Sequence, residues 1–196
     1  MESSKIYNNM LAQGKEEYER VGWGSMESQQ KRFKILSEIA NLYENRILDV
    51  GCGLGGLYEF LVKEYPDISY TGTDININMI KGARERHPAV KFIHADIVTQ
   101  PEKIVKVNFD YVFLSGALNL SEDNREESIE KIVRAMYLLA RKGVGINFLS
   151  TFSNYFTPGE YYSNPVKILE LAFSITHNVV LRHDYMPHDF TLYLYK

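Results

Sequence analysis

The chain has little cysteine, no excess of basic residues and no long apolar run, and each of these absences excludes a class of protein. Its single cysteine excludes an intrachain disulfide and fits a reducing compartment, which predicts a cytoplasmic protein. The net charge of −3 lacks the basic excess of nucleic-acid-binding proteins, so we expect no nucleic-acid partner. No apolar run approaches the roughly 18 residues of a membrane span, and residues 1–5 lack the apolar segment of a signal peptide. We therefore expect no membrane partner.

The length of 196 residues, with 45% hydrophobic and 24% charged residues, predicts one globular α/β domain. Strand-like runs alternate with helical spacing, which favours a mostly parallel sheet of about seven strands with helices on both faces. Residues 178–185 and 190–196 are strand-like and close in sequence, so we expect an antiparallel C-terminal hairpin. Strands are predicted at about 46–50, 69–74, 90–94, 109–114 and 144–149, and helices at about 25–43, 55–65, 77–86 and 124–141.

Capping residues predict where the later helices begin and end. Asp123, with Glu126 three residues on, is expected to cap the helix over 124–141. Gly143 stands where that helix is expected to end. Asn164 before Pro165 predicts the cap and first turn of a further helix.

Residues 47–56, Ile-Leu-Asp-Val-Gly-Cys-Gly-Leu-Gly-Gly, carry the most specific pattern in the chain. A short apolar run leads into a glycine-rich turn, and the amphipathic stretch 57–63 follows, which predicts a buried strand, a tight turn and a helix start. Glycines let a ligand approach the backbone closely, and the N–H groups at a helix start bind polar or anionic groups. The turn therefore indicates a site for a nucleotide-type cofactor.

Three acidic residues stand at the ends of predicted strands. Asp74 ends the second strand, where a carboxylate can accept the hydroxyl groups of a bound ribose. Asp96 ends the third strand, within reach of a base in the same crevice. Asp49 precedes the glycine turn and distinguishes two cofactors, because it would repel the pyrophosphate of a dinucleotide. The same carboxylate favours a ligand that carries ammonium and sulfonium groups.

With these acids in order, the chain resembles the class I S-adenosylmethionine-dependent methyltransferases. The resemblance rests on residues 47–56, Asp74, the pair Ala95–Asp96 and residues 109–114, and it covers about residues 46–150 by motif. It implies a single-domain Rossmann-like fold, S-adenosylmethionine as the cofactor and S-adenosylhomocysteine as the product.

The residues of the predicted cofactor site fall into groups by the part of the cofactor that they would contact. The resemblance assigns the methionine part to Gly51, Gly53, Gly55, Ser115 and Gly116. It assigns the adenosine part to Asp74, Ile75 and Asp96. The neighbouring residues that complete the predicted set are Trp23, Asp49, Cys52, Met79, Ala95 and Ile97. For Cys52 and Met79 the alternative is packing in the core.

The resemblance also predicts two parts within the one domain. Residues 46–196 would form the S-adenosylmethionine-binding core, and residues 1–45 an N-terminal helical cap over the cofactor site. Trp23 and the segment 28–33 are the candidates to fold over the cofactor. Plain helix packing is the alternative for Trp23, and a solvated helix face is the preferred interpretation for Gln29 and Arg32.

The acceptor side carries fewer signals. Residues 115–120 contain neither the Asn/Asp-Pro-Pro-aromatic motif nor the Pro-Cys pair of family members that methylate nucleic-acid bases, so we expect a small-molecule acceptor. Candidates for substrate binding come from this loop, the long aromatic segment 151–165 and the hairpin: Asn119, Tyr155, Tyr161, Tyr162, Asp184 and Tyr185. His183 and His188 are the candidate general bases, oriented by Asp184 or Asp189, with a polar surface turn as the alternative.

These patterns predict an enzyme that transfers a methyl group from S-adenosylmethionine to an oxygen or nitrogen atom of a small molecule, such as a natural-product or sugar intermediate. The adjacent Asp123 and Asn124 resemble ligands of metal-assisted members, but capping is the preferred role, so we expect no metal. The expected partner is the methyl acceptor, and the expected state is a monomer or homodimer. Two alternatives stay open: an NAD(P)-dependent oxidoreductase, and a methyltransferase-like binding or scaffold subunit.

Overall fold

A computed structural model describes residues 2–14, 16–104, 107–120 and 123–196 of the chain. Its strands are β1 (Arg46–Val50), β2 (Ser69–Asp74), β3 (Lys91–His94), β4 (Phe109–Leu114), β5 (Ala140–Leu149), β6 (Val179–Met186) and β7 (Asp189–Tyr195). In the described part of the chain these seven strands form one sheet, in the order β3-β2-β1-β4-β5-β7-β6. Strand β7 runs antiparallel to both of its neighbours, and the other pairs are parallel. The predicted mostly parallel sheet with an antiparallel C-terminal hairpin is confirmed.

Helices cover both faces of this sheet. They are α1 (Glu2–Gln13), α2 (Glu17–Arg20), α3 (Met26–Ser37), α4 (Gly56–Glu64), α5 (Ile77–Arg86), α6 (Arg125–Leu139) and α7 (Pro165–Phe173), with a short 3-10 turn at Pro101–Lys103. Residues of α3, α4 and α5 pack on one face, and residues of α6 and α7 pack on the other. None of the helices in the described ranges combines the length and the apolarity needed to cross a membrane.

The central strand β4 shows why both faces need a helical layer. Successive side chains of a strand point to opposite faces, and all six residues of β4 are buried. Tyr111 and Phe113 join the core beneath α3, α4 and α5, whereas Val112 and Leu114 join the core beneath α6 and α7. A strand that is buried along its whole length and is mostly apolar is typical of a parallel strand covered on both faces.

The strand order changes direction between β1 and β4. Helix α4 leaves β1 toward one face, and α6 follows β4 on the other face. In open α/β sheets, ligands bind beyond the carboxyl ends of the strands at such a switch point. The glycine-rich turn after β1 therefore opens onto the place where the fold itself leaves a crevice.

The structure corrects three of the predicted helix boundaries. Helix α3 ends at Ser37, well before residue 43. The N-cap of α6 is Asn124 rather than Asp123; it has a φ of 56° and makes no side-chain capping hydrogen bond. Gly143 does not end that helix, because β5 already begins at Ala140. The predicted cap of α7 is confirmed, since the Asn164 side chain accepts hydrogen bonds from the backbone N–H groups of residues 166 and 167.

Candidate functional site

A cavity of about 320 Å³ lies at the carboxyl ends of β1, β2 and β4 and beside the loop that follows β3. Its floor is formed by the turn after β1, and its sides by the loops after the other three strands. Part of its wall comes from Tyr7 and from residues between Val21 and Phe33, and part from helix α6. The cavity therefore occupies the switch point of the sheet.

The turn after β1 brings backbone rather than side chains to the cavity. The N–H groups of Gly51 and Cys52 donate hydrogen bonds to the carbonyl oxygen of Thr73, at 2.8 and 3.0 Å, which fixes the turn to the end of β2. Gly51 has a φ of 70°, and a Cβ atom there would lie 2.4 Å from the Cβ of Ala117. Because that space is already filled by the loop after β4, only glycine fits at this position.

Two acidic residues line the cavity beside this turn. The Asp74 carboxylate accepts hydrogen bonds from the N–H groups of Gly53 at 3.0 Å and Asn76 at 2.7 Å. Burial raises the pKa of Asp74, and these hydrogen bonds act in the opposite direction. The Asp96 carboxylate accepts from the backbone N–H of Val98 at 2.8 Å. An ionised carboxylate has about four acceptor sites, so each can still bind hydroxyl or amino groups of a ligand.

Asp49 is the most deeply buried acid of the cavity, with 2% of its surface exposed. The hydroxyl group of Tyr70 donates a hydrogen bond to its Oδ2 at 2.5 Å. Burial raises the pKa of Asp49 to about 7; the bond from Tyr70 lowers it and the charge of Asp74 raises it. A cation in the cavity would therefore favour ionisation of a group that is close to half protonated at neutral pH.

Helix α1 lies across the edge of the cavity and contacts two of its loops. The Asn8 Oδ1 accepts hydrogen bonds from the side-chain amides of Asn76 at 2.9 Å and Asn78 at 3.1 Å. The Tyr7 hydroxyl donates a long hydrogen bond, at 3.5 Å, to the carbonyl oxygen of Gly116. The amino-terminal segment is thus bound to the loops that follow both β2 and β4.

Two residues of α3 lie elsewhere than the preferred interpretation placed them. Gln29 and Arg32 were expected on a solvated helix face, but their residues are 3% and 6% exposed. Gln29 lines the cavity, and Arg32 forms an ion pair with Asp189 of β7. The Arg32 side chain can be buried because Asp189, which is buried too, neutralises its charge.

Most residues of the predicted cofactor set line the cavity. They are Trp23, Asp49, Gly51, Cys52, Gly53, Asp74, Ile75, Met79, Ala95, Asp96, Ile97, Ser115 and Gly116. Gly55 does not line it; Gly55 is the N-cap of α4 and packs against the rings of His87 and Phe92. The contacts of these residues with a cofactor stay a prediction.

The predicted acceptor-binding residues are spread more widely, and only Asn119 lies in the cavity wall. Its carbonyl oxygen accepts a hydrogen bond from the N–H of Tyr161 at 2.9 Å, which places that tyrosine behind the lining. Tyr162 bonds to the Glu160 carboxylate at 2.7 Å, and Tyr155 is 73% exposed.

The hairpin residues also lie outside the cavity lining. His183 Nε2 is 2.7 Å from the Ser150 hydroxyl, and its ring stacks on Phe190. His188 Nε2 is 3.5 Å from Asp189. The other two predicted residues bind neighbours of the hairpin: Asp184 pairs with Arg182 and Tyr185 bonds to Thr191. A catalytic role for either histidine stays a prediction that the cavity geometry does not favour.

Sequence reasoning missed two groups of lining residues. The first group is Arg125, Ser128, Lys131 and Ile132 from α6, and the second is Tyr7 and Val21 from the amino-terminal segment. The spacing of residues 125, 128 and 132 by three and four is a helical-face signal that could have found the first group. The second group has no such signal, because its contacts join residues far apart in sequence.

Comparisons with known proteins agree with this geometry. Residues 47–138 match the model of a family described as a methyltransferase domain. A trans-aconitate 2-methyltransferase of Rhodopseudomonas palustris (strain HaA2) is 39% identical over 64 residues, which cover 33% of this chain. The match covers 25% of the length of that relative.

Solved structures resemble the whole chain. Magnesium protoporphyrin IX methyltransferase from Synechocystis PCC 6803, with S-adenosylmethionine bound, has a TM-score of 0.70 at 15% identity, covering 100% of this chain and 97% of that one. An S-adenosylmethionine-dependent methyltransferase from Archaeoglobus fulgidus has a TM-score of 0.67 at 17% identity, covering 88% and 95%. At these identities the likeness shows a shared fold.

Proposed function

We propose that this protein transfers a methyl group from S-adenosylmethionine to an oxygen or nitrogen atom of a small molecule. Residues 47–138 match the model of a methyltransferase-domain family, and the chain shares its fold with solved S-adenosylmethionine-dependent methyltransferases. One observation carries the proposal. Three carboxylates, those of Asp49, Asp74 and Asp96, meet the glycine-rich turn around a single cavity. This set of acceptor groups fits a cofactor that has a ribose, an adenine and a cationic end but no phosphate.

Each carboxylate has one part of the cofactor that suits it. Asp74 retains acceptor sites for the two ribose hydroxyl groups, and Asp96 for the adenine amino group. Asp49 lies deepest, where its charge would stabilise the ammonium and sulfonium groups. The backbone of the turn at Gly51 and the loop at Ser115 would enclose the methionine part.

When bound, S-adenosylmethionine supplies an electrophilic methyl group. The protein's share in an in-line displacement is to align the acceptor atom with that group, and positioning alone can account for much of the rate. The amino-terminal residues from Tyr7 to Phe33 that line the cavity are suited to exclude water, which is the cap role proposed for residues 1–45. The proposal assigns no step to His183 or His188, since neither lines the cavity.

The acceptor is proposed to be a small molecule. Proteins similar to this chain are named for trans-aconitate and for magnesium protoporphyrin, which are both small molecules. Among residues of the described chain, Asn119 is the predicted acceptor contact that lines the cavity. The acceptor itself and the atom that receives the methyl group are to be found by screening small molecules that co-purify with the protein.

Thermal unfolding with S-adenosylmethionine, S-adenosylhomocysteine and NADH, each added separately, tests the cofactor. A ligand at 100 times its dissociation constant stabilises a protein by about 2.7 kcal/mol. In a domain of this size that raises the melting temperature by roughly 5–10 °C. We expect the rise with the two adenosyl compounds alone. A rise with NADH alone would support the oxidoreductase alternative, and no rise with any would support the scaffold alternative.

A further inference from the structure

A buried ion pair joins the C-terminal hairpin to the helix beside the cavity. Arg32 on α3 donates two hydrogen bonds to the carboxylate of Asp189 at the start of β7, from Nε and Nη2, each at 2.7 Å. The two residues are 6% and 0% exposed. Removing both charges from water offsets most of their mutual attraction, so stability alone is a weak reason for such a pair. The position of the pair indicates a different role, because the guanidinium also contacts the ring of Trp23.

The guanidinium of Arg32 holds an indole ring. Its central carbon lies 4.6 Å from the centre of the Trp23 ring, which is a favourable cation–π distance. Phe33 contacts the same indole edge to face, with ring centres 6.0 Å apart. Trp23 itself lines the cavity. One contact of the Trp23 indole is therefore made by Arg32, and Asp189 of the hairpin fixes the position of Arg32.

The indole also rests on the loop that follows β4. Gly116 has a φ of 80°, and a Cβ atom there would lie 2.8 Å from Cζ2 of Trp23. Any other residue at that position would displace the ring. Trp23 is thus packed between the guanidinium of Arg32, Phe33 and the backbone of a loop that was predicted to contact the methionine part of the cofactor.

We propose that Arg32 and Asp189 are positioning residues that hold Trp23 against Gly116, so that the C-terminal hairpin sets the affinity of the cavity for its cofactor. The ion pair touches neither the cofactor nor the acceptor; it acts through the indole. This inference rests on the proposed function, because it takes the cavity to be the S-adenosylmethionine site.

Trp23 is the single tryptophan of the chain, so tryptophan fluorescence reports on the environment of this one ring. The test compares the wild type with the double variant Arg32→Gln/Asp189→Asn, which removes both charges and leaves no unpaired ion. The affinity for S-adenosylhomocysteine is measured by calorimetry, and the exposure of Trp23 by acrylamide quenching. We expect about tenfold weaker binding, the size of a partly desolvated cation–π contact, and stronger quenching in the ligand-free variant.

The matched control is Arg182→Gln. Arg182 of the same hairpin pairs with Glu38 at the end of α3, at 3.1 Å, but on the surface. This control should keep both the wild-type affinity and the wild-type quenching. A second series covers the case in which the double variant does not fold: Trp23→Leu keeps the ion pair and should weaken binding by a similar factor.

Non-additivity separates positioning from a merely structural role. Adding Arg32→Gln/Asp189→Asn to Trp23→Leu should weaken binding no further if the pair acts through the indole. Wild-type affinity and quenching in the folded double variant, or wild-type affinity in Trp23→Leu, would overturn the proposal. If the wild type fails to bind S-adenosylhomocysteine, the proposed function fails, while the quenching of the ligand-free proteins still decides whether the ion pair positions Trp23.

Discussion

Replacing Asp49 by asparagine should raise the stability of the ligand-free protein and weaken cofactor binding, because one buried carboxyl group serves both. The pKa of Asp49 is raised from 3.8 to about 7, chiefly by burial. The folded protein therefore binds this proton more tightly than the unfolded chain does. The stability linked to the protonated group is complete below about pH 4 and is lost as the pH rises through about 7.

The size of the effect follows from the shift. About three pKa units correspond to roughly 4 kcal/mol at 1.36 kcal/mol per unit. Asparagine has nearly the same shape, stays neutral at every pH, and can still accept the hydrogen bond that Tyr70 donates. The variant should therefore match the wild type below about pH 4, and near pH 8 it should melt roughly 8–16 °C higher.

The assay is thermal unfolding of the ligand-free proteins between about pH 4 and pH 8. The control is Asp184→Asn, whose exposed carboxylate has its pKa lowered by the hydrogen bond from Arg182. That control should show no stabilisation at high pH. A constant difference between Asp49→Asn and the wild type across this range, or no gain near pH 8, would refute the linkage argument.

The binding half of the prediction has the opposite sign. If Asp49 balances the ammonium and sulfonium groups, the neutral variant should bind S-adenosylmethionine at least about tenfold more weakly near pH 8, where a hydrogen-bonded charge contributes roughly 1.5–3 kcal/mol. Calorimetry at that pH measures it. A variant that is both more stable and equally tight in binding would remove Asp49 from the proposed site.

Three further changes test other parts of the molecule. Asp74→Ala removes the acceptor for Gly53 N–H and for the proposed ribose contact, so calorimetry should show S-adenosylmethionine binding weakened at least about tenfold. Gly51→Ala places a Cβ 2.4 Å from Ala117 at a positive φ and should lower both the melting temperature and the affinity; an unchanged affinity would show that the loop can yield. Asn164→Ala removes the cap of α7 and should cost about 1 kcal/mol of stability, seen in thermal unfolding with unchanged cofactor affinity.

The sheet and the cofactor side of the cavity were predictable because their signals are local. β1 leads into the glycine-rich turn, and β2 and β3 lead into Asp74 and Asp96; parallel strands bring those ends to one edge. Helix boundaries were less predictable where the same residue fits both a helix end and a strand position. Gly143 was interpreted as a helix end, yet it lies within β5, where a Cβ atom would meet Ile39 and Tyr111. Its small size serves close packing against the segment that follows α3 and against the neighbouring strand β4.

The amino-terminal part of the site was less predictable, because its contacts join distant residues. Asn8 meets Asn76 across 68 positions, and Arg32 meets Asp189 across 157. An arginine is expected on the surface of a protein unless a buried partner of opposite charge is known. The partner became visible only when the fold placed the start of β7 beside α3.

The order of the last two strands decides what the hairpin can do. The sequence predicts a hairpin but not which of its strands pairs with β5, and the structure shows that it is β7. The outer strand β6, which carries His183, is therefore three strand spacings, or about 14 Å, from β4. Asp189 opens the inner strand and reaches Arg32 instead. With this strand order the hairpin can act on the cavity through the ion pair of Arg32 and Asp189 and the indole of Trp23. The double variant Arg32→Gln/Asp189→Asn should therefore weaken S-adenosylhomocysteine binding, measured by calorimetry, more than a substitution of either histidine does.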